Sequence, residues 1–352
     1  MLIINELNPY LLSIEFFFSK SENINRYPFI KTLEKNYKGK NLILSDLEIQ
    51  HTPVLVPEIL KFLNVTSGGR YIDCTLGEGG HTKSILEASS PGGEVLGIDA
   101  DHEAIEVSKN RLEKYGDRFL FSNNNFRELR KVSMKSQFIP CHGILFDLGV
   151  SSLQLDKESR GFSFRRKAPL DMRFSLNQTL TAENVLNTFS ETEIADILYN
   201  YGEERRSRKI AKIIVKNRPI KDADQLSDLI KNNLRQTNYK INPSTKTFQA
   251  LRIYVNEELN SLSNALEQAL EIVGIGGRIA VISYHSLEDR IVKNFFRKES
   301  KHCICTPNVS ECDCGHTPKI KIITKKPIVP SPNEINSNRR SRSAKLRVVE
   351  RI

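Results

Sequence analysis

Tyr71-Ile-Asp-Cys-Thr-Leu-Gly-Glu-Gly-Gly-His-Thr82 is the stretch on which the reading of the whole chain turns. A short run of β-formers ends at Asp73, passes through a turn with glycines at 77, 79 and 80, and enters a helix at His81. Those glycines let a backbone bend tightly and approach a ligand that a Cβ would push away. The first N–H groups of the following helix lack intrahelical partners, so they offer donors and a positive dipole end to an anionic group. Further on, Glu94-Val-Leu-Gly-Ile-Asp99 reads as a second buried strand ending in a carboxylate, suited to two ribose hydroxyls.

A dinucleotide fingerprint, Gly-x-Gly-x-x-Gly, needs its third glycine where Thr82 stands, so that reading fails. An acid before the loop, Gly77-x-Gly79-Gly80, and an acid ending the next strand suit S-adenosylmethionine instead. Its amino-acid end carries both an ammonium and a carboxylate, so a carboxylate and free amides are both useful there. Taken alone, the stretch is also compatible with a Gly-rich turn that binds nothing.

The chain has 352 residues, enough for two domains or one domain with a large insertion. Its formal net charge of +10 favours a polyanionic partner, with a generic basic surface as the alternative. Cys74 and Cys141 stand alone in apolar strands and four more cysteines cluster at 303–314, which is not a disulfide framework. A reducing, cytoplasmic setting is expected. No apolar run reaches the length of a membrane span, and Leu11 to Phe18 lacks the basic start and small-residue cleavage site of a signal peptide.

Residues 1–48 carry no motif and read as an N-terminal extension, disordered or a small helical appendage. Strands at 71–75, 94–99, 118–122 and 142–147 then alternate with helices at 81–88, 102–115 and 125–133. That alternation predicts a parallel sheet covered on both faces, with ligands beyond the carboxyl ends of its strands. After Ser152 the rhythm becomes helical, with a capping box at Ser190 and Glu193. The αβ pattern resumes with one long helix from Thr245 to Val273, strands at 278–283 and 319–323, and a last strand beyond Ser343. The expectation is an α/β, Rossmann-like methyltransferase sheet built from 49–153 and 244–352, with an all-helical substrate-recognition insertion at 154–243.

Several motifs reinforce one another: Asp73 to His81, Asp147-Leu-Gly-Val-Ser-Ser152, Arg160-Gly-Phe-Ser-Phe164 and Pro169-Leu-Asp-Met-Arg173. Tyr201-Gly-Glu-Glu-Arg205, Thr247-Phe-Gln-Ala-Leu-Arg252 and Ser283-Tyr-His-Ser-Leu-Glu-Asp-Arg290 follow in order. Together they resemble the MraW (RsmH) family of bacterial ribosomal-RNA methyltransferases, from His51 to the C-terminus. The resemblance implies N4-methylation of a cytidine in the decoding region of 16S rRNA, within the small ribosomal subunit, using S-adenosylmethionine. Its implied cofactor contacts are Gly79, Gly80, His81, Asp99, Phe126, Asp147 and Gln154. The residues alone support Asp99 as a ribose acceptor. They leave Phe126 between adenine packing and core packing, read His81 as a helix cap, and say nothing of Gln154.

A cytosine exocyclic amine is a weak nucleophile because its lone pair is delocalised into the ring, so acceptors must hold its hydrogens. Asp147 is the candidate acceptor and His285 the second, as proton acceptor or RNA contact. Methyltransferases that modify this amine in DNA place a Ser/Asp-Pro-Pro-aromatic stretch where this chain has Asp147-Leu-Gly-Val, so Asp147 serves either the amine or the cofactor. Arg165, Arg166, Arg205, Arg340 and Arg342 are the expected phosphate contacts. The family usually has Asn-Pro-Arg where this chain has Asn338-Arg339-Arg340. Cys303, Cys305, Cys312 and Cys314 offer enough soft ligands for zinc, but the Cys-x-Cys spacing is tight; no metal is assigned, and reduced thiols are the alternative. A homodimer, another substrate for the same fold, and a non-catalytic rRNA-binding assembly factor all stay open.

Overall fold

The computed structural model describes residues 53–163, 167–234, 242–306 and 312–352. The expected extension at 1–48, Arg165 and Arg166 lie outside the described residues. Among the described residues seven strands form one sheet: β1 (Arg70–Asp73), β2 (Glu94–Asp99), β3 (Phe119–Asn123), β4 (Cys141–Asp147), β5 (Val273–Ser283), β6 (Ile320–Ile322) and β7 (Lys345–Arg351). Their order is β3-β2-β1-β4-β5-β7-β6. The first five pair parallel; β7 runs antiparallel to β5, and β6 antiparallel to β7. The chain steps outward from β1 to β2 and β3, then returns to place β4 on the other side of β1. This reversal opens a crevice at the carboxyl ends of β1 and β4.

Parallel strands need crossovers, and helices supply them. They are α1 (Val56–Phe62), α2 (Gly80–Ala88), α3 (His102–Leu112) and α4 (Leu129–Lys135). Next come α5 (Ser152–Asp156), α6 (Ala182–Thr188), α7 (Glu191–Gly202), α8 (Ser207–Lys216) and α9 (Ala223–Asn233). The series ends with α10 (Thr245–Val255), α11 (Glu258–Ile272), α12 (Ser286–Glu299) and α13 (Pro332–Ser337).

Because side chains alternate along a strand, each strand feeds two cores. Tyr71, Val95, Leu145, Ala280 and Ile282 meet Leu86 of α2 and Ile105 of α3 on one face. Ile72, Leu96, Ile144, Phe146 and Val281 meet Leu262 of α11 and Val292 of α12 on the other. A third apolar cluster gathers α6 to α10, with Leu186, Leu198, Ile210, Ile230 and Leu251 at its centre. It takes in Phe248 and Val255, past residue 243.

Two expectations need correction. The long helix from Thr245 is two helices, α10 and α11, because Glu257 takes a left-handed φ of 50°. The side chain of Asn256 occupies the break: its Oδ1 accepts from Phe174 N at 2.7 Å, and its Nδ2 donates to Met172 O at 2.7 Å. The glycines at 274–277 do not precede β5 but lie within it, where the pairing with β4 shifts register between Cys141 and Gly143. The Ser190 capping box forms as expected, with Ser190 Oγ accepting from Glu193 N at 3.2 Å.

Candidate active site

A cavity of about 330 Å³ opens at the carboxyl ends of β1, β2, β4 and β5. Its walls include Thr75, Gly77, His81, Asp99, Phe126, Asp147, Gln154, Arg252, Glu258, Tyr284 and Glu288. The strand ends bring these residues together, although they are far apart in the sequence.

Asp99 ends β2 with both carboxylate oxygens engaged: Gly77 N donates to Oδ2 and Asp101 N to Oδ1, each at 2.8 Å. Burial pushes its carboxyl up to about 6, and the backbone donors Asp101 and Gly77 pull the other way. Each oxygen keeps a lone pair for a hydroxyl donor, so the group fits a ribose diol.

The three glycines divide by role. Gly77 has φ +51°, and a Cβ there would meet nothing closer than 3.9 Å, so it is the residue whose missing side chain leaves room at the cavity wall. Gly79 has φ +75°, and a Cβ there would meet Leu112 at 2.9 Å; one at Gly80 would meet Pro53 at 2.7 Å. Both are small for packing; Gly80 also lines the cavity, and Gly79 is not among the lining residues. Gly77, which the family-implied contacts omit, is the one of the three with open space beside it for the close approach of a ligand.

His81 is 6% exposed, with its Nε2 at an ion-pair distance of 3.2 Å from Asp147 Oδ2. Both ring nitrogens are buried without a hydrogen-bond partner among the described residues, so the Asp147 contact is one of charge and proximity. Burial pulls the imidazole pKa down, but the contact with Asp147 and the charges of Asp147 and Asp73 outweigh it and raise it overall. Asp73 itself is fully enclosed, accepting from Thr82 Oγ1 at 2.8 Å and Thr75 N at 3.1 Å. A free glycine face and a ribose-type carboxylate, with His81 on the same cavity lining, together fit S-adenosylmethionine.

Asp147 ends β4, its N–H donating to Thr75 Oγ1 at 2.6 Å and its Oδ1 accepting from Tyr284 Oη at 2.8 Å. Phe126 lines the cavity and packs edge-on against Phe146, ring centroids 5.8 Å apart. Gln154 closes the capping box of α5 with Ser151 and donates from Nε2 to Asp101 Oδ2 at 2.9 Å. The same Asp101 pairs with the buried Arg160 at 3.0 Å, which fixes the base of the segment leading to Arg173.

His285 follows the cavity-lining Tyr284 in the chain. It is not among the cavity-lining residues; it caps α12, with Nδ1 accepting from Glu288 N at 3.4 Å and Nε2 3.1 Å from Glu288 Oε1. The residue that reaches the cavity is Glu288. Burial raises its carboxyl, but the bond and charge of His285, with Arg252, win and leave it below the ordinary value. Beside it, Arg252 holds Glu258 through two bonds of 2.8 and 3.0 Å. Sequence reasoning gives no role to Tyr284, Glu288, Arg252 or Glu258. The signal lies in their motifs, but polar residues inside helix-forming runs do not announce burial.

The arginines expected to meet phosphate differ in setting. Arg205, Arg340 and Arg342 are all exposed, but Arg340 also bonds Ser152 Oγ and pairs with Asp156 at 2.8 Å, strapping the C-terminal segment to α5. Among the described residues no helix is long and apolar enough to cross a membrane.

Residues 48–352 match the profile of the MraW methylase family. A protein named Ribosomal RNA small subunit methyltransferase H from Dehalococcoides mccartyi is 51% identical over 306 residues, spanning 87% of this chain and 88% of that protein. Proteins of the same name from Thermomicrobium roseum and Clostridium botulinum are 47% and 46% identical, spanning 88% and 87% of this chain and 97% and 100% of their own lengths. By profile and by relatives alike, this chain belongs to the MraW methylase family.

Proposed function

We propose that this chain transfers a methyl group from S-adenosylmethionine to the N4 amine of a cytidine in the decoding region of 16S rRNA. The observation that carries the reading is Asp147, held between Tyr284 and His81 at a strand end beside the ribose-type acid Asp99, in a chain of this family. The names of the relatives supply the substrate class.

When bound, S-adenosylmethionine supplies a methyl already activated by its sulfonium, so the chain needs no covalent nucleophile. The protein must instead turn the amine lone pair out of conjugation and accept its hydrogens. Asp147 suits this because its two oxygens offer about four lone-pair sites, of which Tyr284 takes one, while His81 Nε2 stands 3.2 Å from the other oxygen. Glu288, kept ionised by His285 and Arg252, is a second acceptor on the same wall and a destination for the amine proton. Positioning of this kind carries much of the rate when the leaving group is already activated.

The helical segment 154–243 is assigned to RNA recognition, with Arg205 on its surface and Arg342 on the C-terminal segment contacting phosphate. The target base must be unstacked to enter the cavity. The deciding experiment offers the purified chain small ribosomal subunits and free 16S rRNA with labelled S-adenosylmethionine, then identifies the modified nucleoside by mass. N4-methylcytidine in the decoding region is expected; label on any other atom or base sinks the assignment.

A further inference from the structure

Away from the cavity, residues 300–318 leave the end of α12 and return to β6, where Lys319 N donates to Glu299 O at 2.8 Å and closes the excursion. Its described residues make little core of their own: Ile304 is 42% exposed. The described residues of this loop, with no apolar centre among them, need some other reason to hold one conformation.

Four cysteines converge inside it. The Sγ atoms of Cys303, Cys305, Cys312 and Cys314 all lie within 4.8 Å of one another. Cys305 is 3.9 Å from Cys312, Cys312 is 3.5 Å from Cys314, and Cys314 is 3.9 Å from Cys303. These separations are far from the roughly 2.05 Å of a disulfide, and the thiols are free. They match the edge of a tetrahedron of thiolates around zinc, since a Zn–S bond of about 2.3 Å sets neighbouring sulfurs about 3.8 Å apart. The Cys305 N–H also points at Cys303 Sγ, 3.3 Å away, a donor that stabilises a thiolate ligand. His316 is engaged elsewhere, its Nε2 3.1 Å from Lys298 O, so the donor set is four sulfurs.

We propose that Cys303, Cys305, Cys312 and Cys314 form a structural zinc site that staples the excursion between α12 and β6. A set of four thiolates leaves no open position for substrate. The site also lies at the far end of α12, whose 14 residues span about 21 Å from the cavity end. The ion therefore fixes the loop and takes no part in methyl transfer.

The full chain, purified without a metal-binding tag and under reductant, is expected to carry about one zinc by mass spectrometric metal analysis. The double variant Cys312→Ser/Cys314→Ser is expected to carry less than about a tenth of that. Unchanged zinc in the variant, or none in the natural chain after incubation with zinc chloride, overturns the proposal. A second measurement does not depend on the variant folding. In the zinc-loaded natural chain the four thiols are expected to resist alkylation and then to react after chelation, while buried Cys74 and Cys141 stay slow in both states. Equal labelling of the four thiols with and without zinc overturns it as well.

Discussion

Tyr284 Oη donates to Asp147 Oδ1 across 2.8 Å, joining the carboxyl ends of two neighbouring parallel strands, β5 and β4. Burial first, and then the Asp147 charge, push the phenol pKa well above its usual value, so it stays a donor across the physiological range. One oxygen of Asp147 thus keeps its direction whatever enters the cavity.

Asp147→Ala is expected to lower kcat by at least about a hundredfold, in the range lost when a positioned acceptor is removed. Tyr284→Phe keeps the carboxylate but frees its rotation, so a loss of about tenfold is expected, equivalent to one ordinary hydrogen bond. Single-turnover methyl transfer to small ribosomal subunits measures both. Near-normal turnover in Asp147→Ala removes that residue from the mechanism.

Asp99 gives the cavity a pH dependence whose sign follows from burial. Its carboxyl is raised to about 6, so below that pH the free chain favours the protonated form; the stability it contributes is present in acid and lost as pH rises through about 6. Ribose hydroxyls prefer the ionised form as acceptor. Affinity for S-adenosylmethionine should therefore be flat above about pH 6 and weaken by about tenfold per unit below it. Calorimetry across pH 5 to 8 tests this, with Asp99→Asn as the control expected to be weaker and flat. A natural chain whose affinity does not change across that window would remove Asp99 from the binding site.

The parallel sheet is legible in the sequence because strand ends and turns repeat in order: Asp73, Asp99 and Asp147 all end apolar runs, and all three lie where expected. The break at Asn256–Glu257 is not legible, since both residues sit in a helical pattern and what bends the chain is a bond to Phe174 on a distant segment. The glycine roles are hidden for a related reason. Gly79 and Gly80 are small because Leu112 and Pro53 crowd them, and a neighbour's position is absent from the local sequence. His285 stands out in the sequence as a titratable residue in a motif, yet the residue it orients, Glu288, is the one on the cavity wall.

Arg252 and Glu258 bridge α10 and α11 across that break, with side chains 15% and 9% exposed. Arg252→Met removes the cation and leaves Glu258 enclosed near Glu288; burial first, and then the Glu288 charge, already raise its carboxyl. A loss of about 3 kcal/mol is expected, the cost of leaving a buried charge unpaired. Arg252→Met/Glu258→Met should recover most of it, because the unpaired charge goes too. Chemical denaturation reads both, and a double variant no more stable than the single one rejects the explanation.

Arg205 and Arg342 are exposed on separate segments, the turn after α7 and the stretch before β7. If each meets one phosphate, Arg205→Ala and Arg342→Ala should each shallow the slope of log affinity against log salt by about 0.7 to 0.9. Affinity at fixed salt should drop about equally for matched and unrelated RNA, because phosphate contacts carry no sequence information. Arg340→Ala is expected to behave differently. Its guanidinium is held by Ser152 and Asp156 of α5, so its loss should unfasten the C-terminal segment from the cavity rim and weaken cofactor binding. Filter binding of 16S rRNA fragments between about 50 and 200 mM salt, paired with calorimetry, separates the two behaviours. A steep salt slope unchanged by Arg205→Ala and Arg342→Ala would place the RNA surface elsewhere on the molecule.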